Sequence, residues 1–134
     1  MRAIVAAAVF AVPAIALGAT AEHGWIGTYR MKQTQLVSSA MSDNHLTVTR
    51  MSGGGIRFTF EAVSAGCLGQ VDFNAPKLPK GGDMILSTND DSGSACIMRL
   101  YHDGDTILAS EDGCEQFHGM ECTFSGAYRP ERHR

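Results

Sequence analysis

From Ile56 to Ala62 the chain alternates without a break: Ile56, Phe58, Phe60 and Ala62 are apolar, while Arg57, Thr59 and Glu61 between them are polar. Successive side chains of a strand project to opposite faces, so this period of two predicts a strand with one face in a core and the other in water. Upstream, Leu46 and Val48 alternate with Thr47 and Thr49, and Ser52-Gly53-Gly54-Gly55 separates the two runs. A glycine-rich turn between two alternating segments predicts a hairpin. Trp25, Gly27, Tyr29 and Met31 fall on one face of an opening strand, with Thr28, Arg30 and Lys32 opposite. Further on come Met84-Ile85-Leu86, the turn Asn89 to Gly93, a run from Ala95 to His102, the turn Asp103-Gly104, a run from Thr106 to Ser110, and a last strand over Glu121 to Tyr128. Asp-Gly between two such runs is a second hairpin signal. Residues 35 to 43 permit a helical turn, and no mature segment keeps a helical apolar period over three turns. Pro76 and Pro79 mark a loop, where a missing amide donor is harmless. About eight short strands result, an all-β reading. Consecutive hairpins predict a small antiparallel up-and-down barrel, which closes on itself and removes exposed edges; a two-sheet sandwich is the competing arrangement.

The N-terminus carries a different pattern. Arg2 precedes an apolar run from Ala3 to Leu17, 15 residues, short of the roughly 20 that a membrane-spanning helix needs. Ala19-Thr20-Ala21 supplies the small residues that signal peptidase reads. The expectation is a signal peptide over 1–21, cleaved after Ala21, and a single β domain over 22–134 that is periplasmic or secreted. No cysteine lies near the cleavage site, so a lipid-modified form is not expected. Cleavage removes Arg2 and moves the formal net charge from −3 to −4. Mild acidity argues against a nucleic-acid partner, which calls for a basic face. The mature part has no second long apolar run, so no membrane insertion is expected after cleavage. The tail from Arg129 to Arg134 is expected to fray.

All four cysteines, Cys67, Cys96, Cys114 and Cys122, belong to the mature part. An even count behind an export signal reads as two disulfides. Of the three connectivities, Cys67–Cys96 with Cys114–Cys122 is expected, because the second closes a short local loop and the first joins two strands. Cys114, His118 and Cys122 also have a spacing that suits zinc. An oxidising compartment consumes those thiols, so neither a metal nor a cofactor is expected. His118 then reads as a loop residue whose imidazole bonds the backbone, with Gly119 supplying a positive φ.

Catalysis has little to stand on. None of the five histidines sits in a nucleophile or metalloprotease motif, and Ser64 and Ser125 lack a nucleophile-elbow context. Asp90, Asp91, Asp103 and Asp105 fall in turns, where aspartate satisfies turn backbone. Asn89 to Gly93 misses the calcium-loop pattern. The expectation is a protein that is not an enzyme.

The opening Trp25-Ile26-Gly27-Thr28-Tyr29 and the block from Cys114 to Tyr128 have the forms W-x-G-x-Y and C-x3-H-G-x2-C-x-F-x-G-x-Y. Together they resemble small exported bacterial disulfide-bonded β domains, loosely similar to bacterial lysozyme-inhibitor proteins. The resemblance covers both ends of the mature chain, and its motifs are structural in kind; no inhibitory loop carries over residue by residue. It implies an exported binding module that inhibits a lysozyme-type cell-wall hydrolase. An acidic domain would be drawn to such a basic enzyme. Asp90, Asp91, Asp103, Asp105, Glu115 and His118 are the candidate contacts. Gly24-Trp25 with Gly27 also resembles the start of lipocalin-like barrels, in which a tryptophan closes one end. That leaves a small-ligand-binding barrel as an alternative, beside a structural envelope protein. Trp25, Tyr29, Phe58, Phe60, Phe73 and Phe124 are numerous enough to fill a small interior, so a filled barrel is expected.

Overall fold

Eight strands and one helical turn follow each other along the chain: β1 (Gly27–Thr34), β2 (Met41–Arg50), β3 (Ile56–Ser64), β4 (Cys67–Ala75), β5 (Asp83–Asn89), β6 (Ala95–Asp103), β7 (Thr106–Asp112), α1 (Glu115–His118) and β8 (Gly126–Pro130). They come from a computed structural model that describes residues 24–34, 41–64 and 67–131, with backbone only at 32–34, 41, 42, 64 and 67. The expected signal peptide, its cleavage point and the last three residues lie outside the described residues.

All neighbours are antiparallel, in the order β4-β3-β2-β1-β8-β7-β6-β5, so β8 returns to pair with β1. β4 and β5 come into contact without a hydrogen-bonded ladder. The result is a nearly closed up-and-down barrel, and the sandwich alternative falls away.

The alternation read from the sequence decides what points inward. Ile56, Phe58, Phe60 and Ala62 of β3 are buried, and in register with them stand Val48 and Leu46 of β2 and Phe73 and Val71 of β4. Phe60 occupies the centre, with its ring 6.0 Å from Phe73, 6.0 Å from Phe124 and 5.5 Å from Tyr128. Aromatic pairs at such separations add about 0.5–1.5 kcal/mol each beyond the area they bury. Phe58, Phe60, Phe124 and Tyr128 have no exposed surface, so the barrel axis is packed with side chains. Outside, Thr59 donates to Asp72 at 2.7 Å, and the Arg30 guanidinium pairs with Asp43.

Because the strands alternate in direction, the connections gather at two ends. Residues 24–26, the turn 51–55, the loop 76–82, the turn Asp103–Asp105 and Glu131 lie at one end. The turn 90–94 and the segment 113–125 lie at the other. A nine-residue strand such as β6, about 26 Å long and tilted as barrel strands are, separates them by about 20 Å.

Four details differ from the sequence reading. Residues 41–43 are strand, held by the β1 ladder, where Lys32 faces Asp43. The last strand begins at Gly126 rather than Glu121, because α1 and the chain up to Ser125 serve as a plug at the barrel end. The tail is ordered as far as Glu131, whose N–H donates to the Thr28 carbonyl at 2.9 Å. The disulfide pairing is the largest correction. Cys96 bonds Cys114, with Cα atoms 4.6 Å apart. The register explains it: Ile97 of β6 faces Asp112 of β7, so the chain leaving β7 passes Cys96 at once. Both expected pairs, Cys67–Cys96 and Cys114–Cys122, are thereby excluded. Cys122 is also disulfide-bonded, and the Cys67 side chain lies outside the described residues.

Candidate functional site

At the end of the barrel that carries the N-terminal segment, Trp25 tucks inward against Phe58 (6.2 Å between centroids) and His102 (5.0 Å). Two side chains hold the Gly24 carbonyl: the Tyr29 hydroxyl donates to it at 2.5 Å and His102 Nε2 at 2.6 Å. Trp25, 2% exposed, therefore closes this end. Burial, aided by the nearby Asp105 carboxylate, pushes the Tyr29 phenol up to about 12. It remains a hydrogen-bond donor at neutral pH.

Beside this closure lies a groove of about 500 Å³, walled by Thr28, Tyr29 and His102 and flanked by Asp105 and Glu131. Asp105 is exposed on the β6–β7 turn, where Gly104 has a φ of 62°. Glu131 follows β8 and is tied to β2 through His45, whose Nδ1 lies 3.3 Å from Glu131 Oε1. Two carboxylates, Asp105 and Glu131, thus flank one groove, in which His102 and Tyr29 are both hydrogen-bonded to Gly24.

The opposite end is a buried polar plug. His118, at the C-terminus of α1, is buried, and its Nε2 lies 2.6 Å from Glu111 Oε1. Glu111 Oε2 accepts the Phe124 N–H at 2.8 Å. The other ring nitrogen, Nδ1, donates to the Gly119 carbonyl at 2.5 Å, and Gly119 has a φ of 83°. Both ring nitrogens thus face oxygens, an arrangement that favours the doubly protonated imidazolium. Burial pulls the His118 pKa down, but the hydrogen bond and charge of Glu111, the Gly119 carbonyl and Glu115 outweigh it, and the net shift is upward. Asn44, fully buried, donates to the Thr123 carbonyl at 2.7 Å, and the Tyr128 hydroxyl donates to the Phe124 carbonyl at 2.7 Å. Every buried side-chain nitrogen or oxygen among the described residues has a hydrogen-bond partner, as a low-dielectric interior demands.

The predicted contacts divide between these ends. Asp103 and Asp105 belong to the groove end. Asp90, Asp91 and Glu115 belong to the plug end, where Asp90 and Asp91 line a smaller hollow with Gln116 and Phe117. Asp90 Oδ1 accepts the N–H groups of Ser92 and Ser94, both at 2.9 Å, so this carboxylate holds its own turn. Its pKa is lowered, first by the Ser92 hydroxyl and despite some opposing desolvation. His118 faces inward and makes no surface contact. A zinc site on Cys114 and His118 has no ligands to offer, since one is oxidised and the other has both nitrogens engaged.

Glu131, Tyr29 and His102 were not among the sequence candidates, nor was Glu111. A cue for Glu111 existed, because it continues the inward phase of Ile107 and Ala109 along β7. An inward carboxylate implies a buried partner. Neither a family model, nor a curated protein, nor a solved structure matches the chain.

Proposed function

We propose that the chain is an exported binding module, periplasmic or secreted, that acts through its outer surface on a basic lysozyme-type cell-wall hydrolase and inhibits it. The observation that carries this reading is the groove at the Trp25 end, where Asp105 and Glu131 flank a hollow beside the exposed Asp103–Gly104–Asp105 turn. A projecting lysine or arginine side chain is the group that such a hollow accommodates. The packed barrel axis leaves the ends and the outer wall for recognition. The Cys96–Cys114 disulfide suits an oxidising compartment. No helix among the described residues is long and apolar enough to cross a membrane.

Calorimetric titration of the mature domain with chicken-, goose- and invertebrate-type lysozymes tests the reading. Binding to one of them that weakens as salt rises supports it. Heats of dilution alone with all three, at low salt, overturn it.

A further inference from the structure

The outer wall formed by β5, β6 and β7 carries exposed apolar side chains, as the β3–β4 wall does at Val63 and Leu68, and it also combines them with a pair of opposite charges. Ile85, Tyr101 and Leu108 are 64%, 48% and 42% exposed, and together with Asp83 and Arg99 they line one hollow of about 430 Å³. The ladders fix their layout. Asp83 faces Tyr101, Tyr101 faces Leu108, and one step along the same face Ile85 is opposite Arg99. Asp83 and Arg99 are thus diagonal neighbours, about 7–8 Å apart at their backbones. Among the described residues neither takes part in an ion pair.

We propose that this wall is where two copies of the chain meet, face to face about a two-fold axis that runs through Ile85 and Tyr101. This face is self-complementary in its charges. Asp83 and Arg99 occupy one diagonal of a rectangle whose other diagonal is Ile85 and Tyr101. With strands about 4.8 Å apart and same-face residues about 6.7 Å apart, an axis lying in the interface along the apolar diagonal brings each charged residue to within about 2.7 Å of the position directly over its opposite, inside side-chain reach. Asp83 of one copy then sits over Arg99 of the other, and the same pair recurs across the axis, as an isologous contact requires. Ile85 and Tyr101 meet their own counterparts on the axis, and Leu108 extends the apolar strip. The contact is small, so the dimer is a reversible one. It leaves the Asp105–Glu131 groove outside the interface.

Sedimentation velocity of the mature protein over about 1 μM to about 1 mM tests this with three charge variants. The wild type is expected to dimerise reversibly with rising concentration. Asp83→Arg and Arg99→Asp each place like charges over one another in both symmetric contacts, and each should weaken the dimer by at least about tenfold. The combined Asp83→Arg/Arg99→Asp variant exchanges the two charges and should restore it. All four residues at the rectangle's corners are exposed, and unchanged far-UV circular dichroism establishes that the variants fold. A wild type that stays monomeric throughout overturns the proposal, as does a dimer indifferent to the single reversals or not rescued by the exchange.

Discussion

His118 Nε2 lies 2.6 Å from Glu111 Oε1, with the histidine side chain 1% and the glutamate side chain 11% exposed. This pair joins α1 to β7, and through Glu111 Oε2 and the Phe124 N–H it also fixes the chain that enters β8. Removing one member strands the other away from water. His118→Ala should therefore cost about 3 kcal/mol, the usual penalty for breaking a buried pair. Glu111→Gln should cost less, because its amide oxygen keeps one of the two hydrogen bonds, from the ring or from the Phe124 N–H, and loses the other. Urea denaturation of both variants checks the order.

The same pair sets a pH dependence. The His118 pKa is raised on folding, so its contribution is complete below the unfolded value of about 6.5 and is lost as pH rises through the folded value. Stability should decline as pH rises above about 6.5 and through the folded value of His118, and Glu111→Gln should flatten that decline. An NMR titration of the His118 ring, with a midpoint above that of a free histidine, agrees with this. A midpoint at or below the free value contradicts it.

The plug also depends on close approach. A Cβ at Gly69 of β4 would overlap the Phe117 carbonyl oxygen and the His118 Cα, which are backbone atoms that cannot turn aside. Gly69→Ala should destabilise the fold by about 2–3 kcal/mol. Gly53→Ala is the control: nothing lies within 4 Å of its Cβ position, and its effect should stay within about 0.5 kcal/mol. Thermal melts of the two variants, compared side by side, make the measurement.

Peptide mapping without reduction should recover Cys96 joined to Cys114, residues 18 apart in sequence. Replacing both with alanine should cost about 3 kcal/mol by loop entropy. Recovery of Cys114 joined to Cys122 would contradict the β6–β7 register.

The barrel was legible because its signal is local. Phe58 and Phe60 announce their face by alternation, and Gly53, Gly54 and Gly104 announce their turns. The disulfide was not, because it depends on which residues two strands bring opposite each other, and the Ile97–Asp112 register lies in no single segment. The plug escaped for a related reason. Four residues of helix are too few to show a period, and what holds them in place is a carboxylate on another element. The groove was half visible: the Asp103-Gly104 turn stands out, whereas Glu131 reaches it only because β8 runs through Pro130 to pair with Tyr29.

The central claim is inhibition of a lysozyme-type hydrolase, and clearing of a cell-wall suspension tests it most directly. The mature protein should slow clearing at a near-stoichiometric ratio. The effect should fade as salt rises, since exposed charges are screened within about 10 Å at 0.1 M. Asp103→Asn/Asp105→Asn should weaken inhibition while leaving the melting temperature almost unchanged, because both carboxylates are exposed on a turn. Undiminished clearing by chicken-, goose- and invertebrate-type lysozymes, with this protein at about a tenfold excess over an enzyme that a tight inhibitor would saturate, would contradict the account.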